Sequence, residues 1–241
     1  MKVVIHGALG AMGRVLTELL SDTHQLILVE SHQPTSAVVS SLKDVSAADV
    51  VIDFSHPSLL PGVVDFCVNQ QIPLVVGTTN LSSQDHALID QASQAIPVIE
   101  SPNFSYGVAV MRRLIKDATR ILEGFDIEVM ETHHIHKKDA PSGTAKQLLV
   151  DIQASTRQPM SVVEGRGPHT AQKAWNEIGV HSIRSGSNPG EHTVIYSSSE
   201  EQIEVTHKAF SRRVFAMGAM RAAEWVVRQP AGRYSMEEMM S

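Results

Sequence analysis

The run Glu131-Thr132-His133-His134-Ile135-His136-Lys137 sets three histidines and a lysine within a few residues of one another. Imidazole titrates near neutral pH, so it can hold or deliver a proton during a reaction, and a lysine adds a fixed cation. Shortly after it, Pro141-Ser142-Gly143-Thr144 opens a segment of helical pattern. A helix start offers N–H groups to an anion, and the Ser142 and Thr144 hydroxyls add hydrogen-bonding capacity beside them. Histidines, a lysine and a helix N-terminus together suit a small dicarboxylate. Zinc is one other reading of three close histidines. The helical H-E-x-x-H pattern is absent and no clear carboxylate or cysteine completes a tetrahedron, so no metal is expected. A solvated polar strand edge is the plainest alternative. If residues 126–136 form a strand, His133 points to one face and His134 and His136 to the other.

A second constellation stands at the start of the chain. Gly7-Ala8-Leu9-Gly10-Ala11-Met12-Gly13 lies between a short apolar strand and a helix, and Glu30 ends the next strand. Glycines let the backbone turn sharply and approach a diphosphate, which the helix N-terminus then holds. The acid after the second strand accepts hydrogen bonds from ribose hydroxyls. The loops Gly77-Thr78-Thr79 and Ser101-Pro102-Asn103-Phe104 follow later strands and are candidates for the nicotinamide end of a dinucleotide. Ala11 and Ser31 supply no cation for a 2′-phosphate, so NADH is expected to serve at least as well as NADPH, with Arg14 and His32 as the side chains able to change that.

Both constellations need a scaffold. Lys2–His6, Leu26–Glu30, Asp49–Phe54, Pro73–Gly77 and Pro97–Glu100 read as buried strands, with helices over 14–21, 59–70 and 84–95. Such alternation predicts parallel βαβ units, hence an α/β fold with a doubly wound sheet. After a helix over 108–122 the pattern changes. An exposed strand over 126–136 and a helix over 142–154 precede three strands without helices between them, at 181–185, 192–198 and 202–207. This predicts a second α+β domain with a mixed, largely antiparallel sheet. A final amphipathic helix spans 214–228. The expected division is 1–104 with 213–241 for dinucleotide binding, and 105–212 for substrate binding and oligomerisation.

Composition excludes several classes. Of 241 residues, 42% are hydrophobic and 19% charged, enough apolar material for cores and against general disorder. The net charge of −6 argues against nucleic acid as a partner. Cys67 is the sole cysteine, so neither an internal disulfide nor a cysteine-rich metal site can form. No apolar run approaches the ~20 residues of a membrane span, and Val3-Val4-Ile5 is too short for an export core. A cytoplasmic location is expected.

The whole pattern resembles the 4-hydroxy-tetrahydrodipicolinate reductase (dihydrodipicolinate reductase) family. The likeness runs over nearly all of the chain. It is carried by His133-His-x-His-Lys-x-Asp-Ala-Pro-Ser-Gly-Thr-Ala145, Gly7-x-x-Gly-x-Met-Gly13, Val51-Ile-Asp-Phe54, Gly77-Thr-Thr79, Asn103-Phe-Ser105, Gly190-Glu-His192 and Thr206-His-Lys-Ala209. The resemblance implies reduction of a cyclic hydroxy-dicarboxylate with loss of water in diaminopimelate and lysine biosynthesis. It also implies a Rossmann-type domain using NADH or NADPH, and a homotetramer. It assigns His133 as proton donor and acceptor, and Lys137 as second donor and substrate contact. His134, Ser142, Gly143, Thr144 and Arg212 would then bind substrate. Gly7 to Met12, Glu30, Gly77 to Thr79 and Ser101 to Phe104 would bind the cofactor. His136 receives no task. The family often has arginine where Ala11 and Ser31 stand. Another dehydrogenase of similar layout, or a nucleotide sensor without catalysis, would lack a use for the histidine–lysine–helix-start constellation.

Overall fold

The computed structural model describes residues 1–30, 38–169 and 171–240. They form two compact units, Met1–Tyr106 with Arg212–Ser241, and Gly107–Ser211.

The first unit opens with β1 (Lys2–His6), α1 (Ala11–Leu20), β2 (Gln25–Val29), β3 (Val50–Asp53), α2 (Leu60–Gln70), β4 (Leu74–Val76), α3 (Ser83–Ala92) and β5 (Pro97–Glu100). The strands are short Val/Ile/Leu runs, the composition of a parallel sheet covered on both faces. Val4, Val51, Leu74, Val76 and Val98 form one core with Leu60, Val63, Cys67 and Ile89 of the helices. Local signals set the helix ends. Ser82 and Asp85 make a reciprocal capping box before α3, and α2 stops at Gln71 in the left-handed region, φ 54°. Helix α1 begins at Ala11, inside the expected loop, because Gly10 in extended conformation already serves as its N-cap.

The second unit contains most of α4 (Tyr106–Ile121), then β6 (Asp126–His133), α5 (Gly143–Ser155), β7 (Ser161–Glu164), β8 (Glu177–Arg184), β9 (Glu191–Ser197) and β10 (Gln202–Lys208). The sheet order is β10-β9-β6-β8-β7. It is mixed, as expected, but half parallel rather than largely antiparallel: β9 is antiparallel to both β10 and β6, while β8 is parallel to both β6 and β7. The parallel half follows from α5, which carries the chain from β6 back to start β7 in the same direction. Strand β6 corrects an expectation. It is the central strand, not an exposed one, and it ends at His133 rather than His136. Beyond His133, the backbone pairs with a loop instead. The His134 amide donates to the Asn188 carbonyl at 2.8 Å and the Ile135 amide to Gly186 at 3.2 Å. Ile127, Val129, Glu131 and His133 alternate on the buried face of β6. Met111 and Ile115 of α4, Leu148 and Ile152 of α5, and Val194 and Tyr196 of β9 complete that core.

The chain then returns to the first unit as α6 (Arg213–Val226) and β11 (Gly232–Tyr234). Buried Ala216, Ala219, Ala222 and Ala223 give α6 a thin face that packs on α1 and on β3, β4 and β5. Strand β11 extends the all-parallel sheet, in the order β11-β5-β4-β3-β1-β2. The order reverses at β1, and the crevice beyond the carboxyl ends of β1 and β3 is where such sheets bind ligands. Strands β7 and β11 escaped the sequence reading. They have four and three residues, lie at sheet edges and are only part-buried, so neither shows a clear apolar run.

Candidate active site

The candidate dinucleotide site of the first unit is built on the turn from β1 to α1. Gly7 has φ +80°, and a side chain on it would strike the Phe54 carbonyl at 2.6 Å; one on Gly13 would strike the Gly7 carbonyl at 2.2 Å. Glycine is therefore required for the loop to fold tightly between strand and helix. The first turn of α1 leaves its N–H groups without intrahelical acceptors, which suits a diphosphate. Glu30 reaches back to this loop, its Oε2 accepting from the Leu9 amide at 3.2 Å. Arg14 is turned onto the loop as well, its Nε donating to the Leu9 carbonyl at 2.9 Å. Ala8 is buried, Leu9 and Met12 half-buried, and Gly10 and Ala11 exposed. Ser31 and His32, invoked for cofactor preference, lie outside the described residues.

Two further loops meet the same sheet edge. Asp53, fully buried at the end of β3, pairs with His6 Nδ1 at 2.7 Å and accepts from Ser55 and Thr78 hydroxyls at 2.6 Å each. It thereby ties the ends of β1, β3 and β4 together and fixes Thr78 beside Gly77, while Thr79 remains exposed. Ser101 Oγ donates to the Asn103 carbonyl at 2.7 Å, Pro102 is exposed, and Phe104 is buried edge-on against Phe54 at 5.8 Å. These residues fit a dinucleotide: a crowded glycine turn, a helix start, an acid at the second strand and two loops at the strand ends. In the sequence Asp53 stands only as part of a motif; its place as a hub depends on strand order, which spacing alone does not reveal.

The candidate acid–base site lies in the second unit, at the carboxyl end of β6. Glu131 and His133 share the buried face, two residues apart, and Glu131 Oε2 is hydrogen-bonded to His133 Nδ1. On β8, Arg184 Nη2 donates to Glu131 Oε1 at 2.9 Å and to the Asp139 carbonyl at 2.6 Å. On β9, His192 stands opposite Glu131 and packs edge-on against His133, ring centroids 5.1 Å apart. His192 Nε2 meets Ser142 Oγ at 3.0 Å, and the same Oγ accepts from the Ala145 amide as N-cap of α5. Lys137 Nζ holds Asp139 Oδ1 at 2.7 Å and Oδ2 at 2.9 Å. His134 is half-buried with Nδ1 lacking a hydrogen-bond partner, Gly143 is exposed in the first turn of α5, and Thr144 is half-buried beside it. His136 is exposed, its ring 6.2 Å from that of His134. The expectation that strand alternation sends His134 and His136 to one face gives way, because both lie beyond the strand. Arg212 belongs to the first unit, as the N-cap residue of α6.

Glu131, His133 and His192 bring one ligand-type atom each within 4.8 Å of one another, so a carboxylate does join the histidines, contrary to the sequence reading. Alternation on a strand, i to i+2, was the signal available for Glu131. Arg184 and His192 come from other strands, and their register is not written locally. Asp139 was visible only as a motif letter.

Electrostatics separate the roles. Burial alone would raise the Glu131 pKa, but hydrogen bonds from Arg184, Ser182 and His133 outweigh it and hold the carboxyl below its usual range. Burial lowers His133, against the opposing pull of Glu131, and the Lys137 and Arg184 charges lower it further. An anion bound beside the ring would raise it again. His192 is pushed down to about 3, chiefly by burial and then by His133, so it is a neutral hydrogen-bonding ring. Its folded pKa lies below its unfolded one of ~6.5, so the unfolded chain takes up the proton first. That stability is complete above pH ~6.5 and falls toward pH 3 by up to ~1.4 kcal/mol per pH unit. Unfolding measured in urea between pH 7 and pH 5 should weaken more steeply for the wild type than for His192→Gln; parallel profiles would contradict this assignment.

No helix among the described residues is long and apolar enough to cross a membrane. The chain is 40% identical to the 4-hydroxy-tetrahydrodipicolinate reductase of Caldanaerobacter subterraneus subsp. tengcongensis, over 99% of this chain and 98% of the relative. It is 37% identical to the reductase of the same name from Clostridium tetani, over 100% and 97%. The dipicolinate-bound dihydrodipicolinate reductase of Paenisporosarcina sp. TG-14 superposes with a TM-score of 0.76 at 19% identity, covering 98% of this chain and 97% of that one, which supports the fold. The family model for the N-terminus of dihydrodipicolinate reductase matches residues 1–104, and the model for its C-terminus matches residues 107–240. By these matches across almost its whole length, the chain belongs to the dihydrodipicolinate reductase family.

Proposed function

We propose that this chain catalyses the NAD(P)H-dependent reduction of 4-hydroxy-tetrahydrodipicolinate to tetrahydrodipicolinate, with loss of water, in diaminopimelate and lysine biosynthesis. The observation that carries the reading is the buried Glu131–His133 pair set beside Lys137 and the Ser142-capped helix start, on a chain similar to such reductases from end to end. The reaction adds one hydride and one proton and releases one water. Gly7 to Met12, Glu30, Gly77 to Thr79 and Ser101 to Phe104 would hold the reduced dinucleotide, whose chemistry when bound would be hydride donation.

The chain's own groups do the rest. The first-turn amides of α5, with Gly143 and Thr144, receive one substrate carboxylate. Lys137, already bidentate on the Asp139 carboxylate, exchanges that partner for the substrate and opposes the charge that develops on the ring nitrogen. His134 and Arg212 add substrate contacts. His133 delivers the proton from Nε2. A small di-acid is consistent with dipicolinate as the ligand carried by the Paenisporosarcina relative. The reading includes a cytoplasmic homotetramer, with half-exposed Ile203 on edge strand β10 and exposed Trp175 as apolar surface to cover.

Turnover of freshly generated substrate with each nucleotide tests the proposal. NADH should give a kcat/KM at least equal to that with NADPH, because Ala11 offers no cation to a 2′-phosphate. A large NADPH preference would overturn that part. Nucleotide binding without turnover would favour a sensor.

A further inference from the structure

We propose that Glu131 is a positioning residue, and that with Arg184 it fixes Nδ1 as the proton-bearing nitrogen of neutral His133 and leaves Nε2 to exchange the proton with substrate. This rests on the reading of His133 as the proton donor.

The geometry is that of a buried carboxylate with its two oxygens assigned to different tasks. Oε1 accepts from Arg184 and Oε2 faces His133 Nδ1. Glu131 is 1% exposed, so its charge must be answered inside the protein, and Arg184 answers it. An ionised carboxylate can only accept, hence the ring must donate from Nδ1. Nε2 is then an acceptor in the neutral ring and a donor in the charged one, the behaviour required of an acid that is recharged each cycle. That nitrogen lies toward the backbone of Gly190, where an added methyl would sit 3.0 Å from it. The charged and titratable groups around the ring are Glu131 on its own strand, Arg184 on β8, His192 on β9 and Lys137 in the following loop. His192 meets the ring edge-on and holds its plane. Arg184 does a second thing: its bond to the Asp139 carbonyl ties the dyad to the loop that carries Lys137. One guanidinium thus sets both the ring's tautomer and the place of the neighbouring cation.

The amide of Glu131→Gln distinguishes this role from simple packing. Arg184 can only donate, so it holds the glutamine oxygen and turns the NH2 toward Nδ1. Nδ1 must then accept, and the neutral ring carries its proton on Nε2, where it is a poor acid. The change removes no volume. We expect kcat to fall about 10–10²-fold with KM within about threefold, and the alkaline limb of the kcat profile to move to lower pH. Long-range 15N–1H correlation spectra of histidine-labelled protein should show neutral His133 protonated at Nδ1 in the wild type and at Nε2 in the variant. Glu131→Asp should restore part of kcat and the Nδ1 form. A wild-type ring protonated at Nε2 overturns the proposal whether or not any variant folds. So does a variant whose tautomer and pH profile are unchanged and whose activity falls only with its melting temperature. An inverted tautomer with undiminished kcat would instead sink the reading of His133 as the proton donor, leaving the dyad's geometry intact.

Discussion

Replacing His133 with alanine is expected to lower kcat by about 10²–10⁴-fold, the span that a positioned general acid contributes. The ring is buried at the end of a central strand, bonded through Nδ1 to Glu131 and braced by His192, so its position is set before any substrate arrives. The substitution also leaves Glu131 without one of its partners, though Arg184 still compensates its charge. Folding should therefore survive with a modest loss, as read from the melting temperature, while turnover collapses. Nucleotide affinity, which we assign to the other unit, should not change. A variant with wild-type kcat would remove His133 from the role.

Lys137→Ala is expected to lower kcat/KM by about 10²–10³-fold, through both terms. KM should rise because a charge-assisted contact of about 1.5–3 kcal/mol to a substrate carboxylate is lost. The fall in kcat reflects charge developing on the ring nitrogen during hydride transfer, which the ammonium opposes more strongly than it holds the ground state. In the structure the lysine already grips a carboxylate, that of half-exposed Asp139, and Asp139 is held below its ordinary range mainly by that bond. Asp139 thus occupies the position that a substrate carboxylate would take by exchange. Steady-state kinetics across substrate concentration separate the two effects; a change confined to KM would make Lys137 a binding residue alone.

Much of the fold and of the candidate site is set by local chemistry. The glycine turn, the acid at the end of the second strand and the alternation of short Val/Ile runs with helices were all readable, because each is set by residues close together in the chain. The helix start after Pro141 was readable for the same reason. Long-range pairing was not. In the sequence Glu131 is only the head of a polar run; its surroundings come from Arg184 on β8 and His192 on β9, strands whose register depends on the whole sheet. Asp53 likewise acts only because β1, β3 and β4 end together. The over-long strand through His136 failed for a related reason: polar alternation persists past His133, but the backbone partner there is a loop some fifty residues away in sequence, not a strand. The short edge strands β7 and β11 depend on neighbours for their hydrogen bonds and hardly on their own composition.

The proposed role of His133 is to supply the proton for reduction of a cyclic hydroxy-dicarboxylate. It is tested most directly by rapid-mixing single turnovers of freshly generated 4-hydroxy-tetrahydrodipicolinate, following loss of nicotinamide absorbance with wild type, His133→Ala and Lys137→Ala. The account predicts fast oxidation by the wild type, a rate at least about 10²-fold lower without His133 even at saturating substrate, and a defect without Lys137 that saturation only partly relieves. Equal saturated rates for the wild type and His133→Ala would contradict it.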